Sequence, residues 1–183
     1  MQAPSGQMTG PALRALLQDG ALTGEWVLDP RKSTIRLKTK SLGVIPVNGD
    51  FRDVSGHGTV SADGEVTGTL VVASASIETG VSKRDTHLRS AEIFDSGNHP
   101  HFTFTVDAVR PSGQDITVTG ELTVRGRTKP LSFDAATTAA GPGEVCLDAQ
   151  VRLNRADFGV RWKGDGLVSR TNTLIIHAVF TRR

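Results

Sequence analysis

Apolar residues at every second position restrict this chain more than any other feature. In "HFTFTVDAVR" Phe102, Phe104, Val106 and Ala108 alternate with Thr103, Thr105 and Asp107. In "ITVTGELTV" Ile116, Val118, Leu122 and Val124 share one parity, opposite Thr117, Thr119, Glu121 and Thr123. "STIRLKTK" sets Ile35 and Leu37 against Arg36, Lys38 and Lys40. "VCLDAQVRL" sets Val145, Leu147, Ala149, Val151 and Leu153 against Cys146, Asp148, Gln150 and Arg152. Successive strand side chains point to opposite faces, so these segments read as half-buried antiparallel strands with one wet face. "TGTLVVASASIE" (67–78) and "NTLIIHAVF" (172–180) alternate less cleanly, and the first is expected to bury both faces at one end, under residues 83–102.

Turn chemistry separates the strands at Asp63-Gly64, Ser112-Gly113 and "GPG" (141–143). About eight strands follow in up-and-down order, with no long crossover that parallel pairing would need. Closing them into a barrel removes the edges that template aggregation and leaves room for one small ligand. An immunoglobulin-type sandwich fits less well, because its Cys…Trp…Cys spacing is absent. The barrel is assigned to residues 24–183 and an N-terminal arm to residues 1–23. Residues 1–10 are polar and expected to lack structure. Pro11 starts and Gly20 ends a short helical pattern with Leu13, Leu16 and Leu17 on one face. A helix this short must dock on the body or on another subunit.

With a net charge of +2 there is no basic tail, and the run Arg125, Arg127, Lys129 carries no interleaved aromatics. Nucleic-acid binding is therefore not indicated, and that run reads as a solvated bend. The single cysteine, Cys146, excludes an internal disulfide and fits a reducing compartment. "MQAPSGQMTG" lacks the basic start and apolar stretch of a secretion signal, and no apolar run approaches the roughly 18 residues of a spanning helix. The expectation is a soluble, cytoplasmic protein.

Most chemistry-capable side chains crowd into "KRDTHLRSAEIFDSGNHPHF" (83–102). Ser82 and Asp85 have capping-box spacing, Leu88, Ala91 and Phe94 follow at three-residue steps, and Gly97 and Pro100 end the pattern. One or two helical turns are expected between strands, presenting Leu88 and Phe94 to the core. Asp85 and His87, two apart, do not face each other on a helix, and no G-x-S-x-G nucleophile motif occurs. His99 and His101 lack an identifiable third ligand, and His177 reads as a histidine tied to a neighbour. Catalytic residues, metal and cofactor are all expected to be absent.

The same stretch carries a resemblance. From Thr79 to Phe104 the pattern Thr, Arg-Asp-x-His-Leu-Arg-Ser, Phe-Asp, Pro and a Phe-rich strand resembles the central signature of the YceI-like family of polyisoprenoid-binding, lipocalin-like barrels. "GELTVRGRTKPLSF" (120–133), "LNRADFGV" (153–160) and the opening "WVLDPRKSTIRLKTK" are similar to further family motifs in the expected order. The resemblance covers about residues 24–181. It departs at Lys32 and Lys40, where many members carry His, and at Ile93, a position usually aromatic. It implies an all-β, eight-stranded antiparallel barrel holding a long isoprenoid chain, often as a dimer, in proteins better known as binders than as enzymes.

The inner parity then supplies the apolar lining: Ile35, Leu37, Leu70, Val72, Phe102, Phe104, Ile116, Val118, Leu122, Phe133, Leu147, Leu174 and Ile176. Alternation alone leaves open whether these side chains line a tunnel or fill a core, although small residues such as Ala135 and Ala178 favour room. A head group of a polyprenyl phosphate or isoprenoid quinone would meet Arg84, His87 or Arg89, or the Arg125–Lys129 bend. The expected function is non-catalytic carriage or storage of an isoprenoid lipid, with possible transient membrane contact. Two alternatives stand beside it: an enzyme acting on a lipid or small stress-related metabolite through His87, and a filled barrel engaged in protein contact through its 11–18 helix.

Overall fold

The structure, a computed structural model, describes residues 7–8, 10–139, 143–163 and 166–183. Its elements are β1 (Gln7–Met8), α1 (Gly10–Gln18), β2 (Gly24–Leu28), β3 (Thr34–Ser41), β4 (Ile45–Phe51), β5 (Val54–Val60), β6 (Val66–Ala73), β7 (Ile77–Glu78), α2 (Ser82–Arg89), β8 (His101–Ser112), β9 (Asp115–Val124), β10 (Arg127–Ala139), β11 (Glu144–Asn154) and β12 (Thr171–Arg182). Several short strands are pieces of one wall. Both β2 and β3 pair with β12, through Leu28 opposite Phe180 and Leu37 opposite Leu174. Strands β4 and β5 run back along β3 and β2, and β7 and β6 along β4 and β5. β8, β9, β10, β11 and β12 then follow in order, and β12 closes on β2 and β3. The result is the expected eight-stranded antiparallel up-and-down barrel.

The interruptions have local causes. Between β2 and β3, the Asp29 N–H donates to the Val179 carbonyl at 2.8 Å, and the Ser33 hydroxyl donates to the Asp29 carbonyl at 2.7 Å. This loop covers Val179, an outward residue that is only 4% exposed. That cover is why 172–180 lacks clean alternation. The 67–78 segment is likewise buried on both sides at its end. There the Ser74 N–H and hydroxyl donate to the Pro100 and His99 carbonyls, and Ile77 is fully buried.

A register shift in β8 between Val106 and Ala108 faces Gly120 of β9. A Cβ added at Gly120 would run into the Thr105 carbonyl oxygen. Gly120→Ala is therefore expected to cost about 2–3 kcal/mol, the scale of overpacking a tight interior, read as a lowered urea midpoint.

Helix α1 docks on its own barrel, with Leu13 and Leu17 buried in the core. The arm also departs from the expectation that residues 1–10 are unstructured. Gln7 and Met8 pair with Thr138 and Thr137, while residues 1–6 and 9 lie outside the described residues. Of the "GPG" turn, residues 141 and 142 lie outside them too.

The connection after β7 differs from the expected capping box. Asp85 accepts from the Thr79 N–H at 2.9 Å and the Thr79 hydroxyl at 2.5 Å, and Val81, with no side-chain cap, precedes the helix. A strand-end threonine has taken the carboxylate that Ser82 would have used. Helix α2 stops at Arg89, so Ala91 is exposed instead of continuing a helical face. Leu88 does reach the core, and turns after the helix bring in Ile93 and Phe94.

Of the Arg125, Arg127, Lys129 run, Arg127 and Lys129 are exposed as expected, but Arg125 is not simply solvated. Arg125 adopts a φ of 51° and its guanidinium donates to the carbonyls of Ala91 (2.7 Å), Ile93 (3.1 Å), Glu92 and Gly159 (both 3.3 Å). It fastens the α2–β8 connection over the end of the barrel.

Candidate functional site

The barrel interior is hollow. A cavity of about 200 Å³ is walled by inward residues of the strands, and every predicted lining residue except Ile116 faces it. Ile116 instead borders a second cavity of about 160 Å³ beneath α1, together with Leu13, Leu17, Trp26 and Val109. Leu70, Val106, Val118, Leu147 and Phe180 border both cavities. They form a waist between the two spaces, which adjoin along the barrel.

The alternation that made the strands also made the lining apolar. At the α2 end, Phe102 packs edge-on against Phe94 and Phe51, with ring centroids 5.1 and 6.0 Å apart, and the three rings form one wall. Phe104 and Phe133 meet farther along at 5.5 Å. Polar atoms are sparse. Arg155 lines the cavity but its guanidinium is committed to the backbone, donating to Val160 (2.9 Å), Ser169 (3.1 Å) and Val168 (3.2 Å). Asn172 also lines it, with its Oδ1 buried and unpartnered among the described residues.

A third pocket of about 180 Å³ adjoins at the α2 end and shares Leu37 with the main cavity. Its walls are the β3–β4 hairpin, α2 and the segment around Trp162, and include Thr39, Thr79 and Arg84. The Thr39 hydroxyl is buried without a partner among the described residues.

The three predicted head-group residues are not brought together. Arg84 lines the third pocket, donating through Nε and Nη2 to the Thr79 hydroxyl (2.8 Å) and carbonyl (3.1 Å). Arg89 turns inward, donating to the Ile77 carbonyl at 2.8 Å, and its Nε is buried and unpartnered among the described residues. His87 faces outward, with Nε2 3.0 Å from Glu92 and its ring edge-on to Trp162. His87 and then Lys163 hold the Glu92 carboxyl below its usual range. Neither His87 nor Glu92 lines any of these three cavities. His99 lies 3.9 Å from Asp95 and His101 is exposed.

Sequence reasoning missed Arg155, Asn172 and Thr39. Arg155 stands within "LNRADFGV", which reads only as a family-like motif. Asn172 and Thr39 sit at inward parity, a legible signal, but as single polar residues in apolar strands they gave no pattern.

The model of the YceI-like domain matches residues 26–180, nearly the whole barrel. The chain belongs to the YceI-like family. A UPF0312 protein of Pseudomonas putida (strain GB-1) is 34% identical over 173 residues, covering 88% of this chain and 89% of its own. Among solved structures, BcnA of Burkholderia cenocepacia superposes with a TM-score of 0.77 at 23% identity, covering 83% of this chain and 98% of BcnA. A polyisoprenoid binding domain from Saccharophagus degradans superposes with a TM-score of 0.72 at 17% identity, covering 86% and 98%. These likenesses agree on the YceI-like barrel.

Proposed function

We propose that this YceI-like barrel is a non-catalytic carrier or reservoir of an isoprenoid lipid. The observation that carries the reading is the apolar barrel interior, two cavities that share five lining residues and are lined largely by the inward parity of the strands. Burial in such a space is worth about 25 cal/mol per Å² of apolar surface, so a prenyl chain gains affinity without directional bonds. The structural likeness to a polyisoprenoid binding domain supports the ligand class. The third pocket is suited to the head group, which Arg84 and the unpartnered Thr39 hydroxyl would contact.

The same end suits exchange with a lipid surface. Leu42, Val44, Ile45 and Leu167 are exposed there, with exposed Lys40 and Lys83 nearby. An apolar tip beside cations matches an anionic bilayer interface. The alternative of a filled barrel loses its premise to the cavity, and α1 spends its apolar face on the barrel itself.

The test is uptake by delipidated protein of an isoprenoid quinone and of a polyprenyl phosphate with the same tail. Saturable, near-stoichiometric uptake of either, outcompeting a straight-chain fatty acid, is the expected result. Uptake of neither would overturn the reading.

A further inference from the structure

On the outer wall, far in function from the cavity, three metal-ligating side chains of different chemistry converge. Cys146 and Asp148 are two apart on β11, so they share its outward face, and His177 on β12 is the direct cross-strand partner of Asp148. The Cys146 sulfur lies 3.5 Å from Asp148 Oδ2 and 3.5 Å from His177 Nδ1, and the same Nδ1 lies 2.6 Å from Asp148 Oδ1. The three ligating atoms all fall within 4.8 Å of one another. Among the described residues no other group of three His, Cys, Asp or Glu side chains does so.

We propose that Cys146, Asp148 and His177 form a zinc site on the outside of the barrel. A tetrahedral zinc ion with ligands at roughly 2.0–2.3 Å holds them roughly 3.3–3.6 Å apart. The two sulfur distances already meet that spacing, and only the close His177–Asp148 contact must open. Two hydrogen-bonded strands fix the donors, so little chain ordering is needed on binding. The donor set selects the ion: a thiolate disfavours Mg²⁺ and Ca²⁺, and sulfur with imidazole and carboxylate suits Zn²⁺. Water takes the fourth position, since the flanking Glu144 is held by Lys32 at 2.6 Å. Binding exchanges the thiol proton for the metal and releases it to solvent. Cys146 and His177 are 31 positions apart, so neither motif nor spacing announces the site.

Cobalt(II) is the probe, titrated anaerobically into tag-free, chelator-treated full-length protein. One equivalent is expected to give the thiolate-to-cobalt charge-transfer band and the visible bands of tetrahedral cobalt, both erased by added Zn²⁺. Cys146→Ser should lose the charge-transfer band, and His177→Ala should weaken Zn²⁺ uptake about tenfold or more, each keeping the thermal midpoint of the metal-free protein. In the unsubstituted chain, Zn²⁺ should slow alkylation of Cys146 at least about tenfold. A spectrum that stays that of hydrated cobalt, or no protection of the thiol, overturns the proposal.

Discussion

Replacing Ala149 with tryptophan is expected to abolish lipid loading while leaving the barrel folded. Ala149 sits on β11 opposite Ala135 and Ile176 and faces the main cavity. Its small side chain is part of what keeps the space open. An indole placed there occupies the volume that a prenyl chain would fill and meets apolar side chains on every side. Filling a void recovers contacts that the empty lining lacks, so the strain of a larger residue is offset. Retained isoprenoid should fall at least about tenfold, with the thermal midpoint within a few degrees of the parent. A tryptophan variant that loads as well as the parent would move the ligand out of the barrel.

Arg155→Met is expected to be the most destabilising of the substitutions considered. Arg155 is 5% exposed, and its guanidinium gathers the Val160, Val168 and Ser169 carbonyls at the α2 end of the barrel. These bonds join the 155–160 turn to the strand that enters β12. Methionine keeps much of the stem but leaves buried acceptors unpaired, each costing about 1–3 kcal/mol. A loss of about 3 kcal/mol or more follows, lowering the thermal midpoint by roughly 6–12 °C for a domain of this size. Loss of less than about 1 kcal/mol would mean that water replaces the guanidinium.

Strand parity was legible because it repeats. Ile35 to Leu37, Phe102 to Val106 and Leu147 to Leu153 each declare an inner face over several residues, and the cavity lining follows from it. Ile116 has the right parity but the wrong height, since parity says which face and not how far along the axis. The polar features were legible only as residue types. Asp85 looked like a helix cap, yet Thr79, six residues earlier, holds it. Arg125 looked solvated, yet it collects carbonyls from segments 32 to 34 residues away. Arg155 is buried for the same kind of reason. Long-range polar pairing depends on which loops the closed barrel brings together, and local spacing does not encode that.

The same limit applies to Cys146. Burial first, and the Asp148 carboxylate second, push its thiol up to about 11, and the larger cause, burial, exists only once β11 is paired within the wall. In the sequence it is a lone cysteine among alternating residues.

The most direct measurement is of what the barrel carries when it leaves the cell. Tag-free protein, purified without detergent, is weighed intact by native mass spectrometry and then extracted with organic solvent. The account predicts a mass excess of one isoprenoid lipid per barrel, the same species in the extract, and its loss from Ala149→Trp. Protein of bare polypeptide mass that also takes up no quinone or polyprenyl phosphate added afterwards would contradict it.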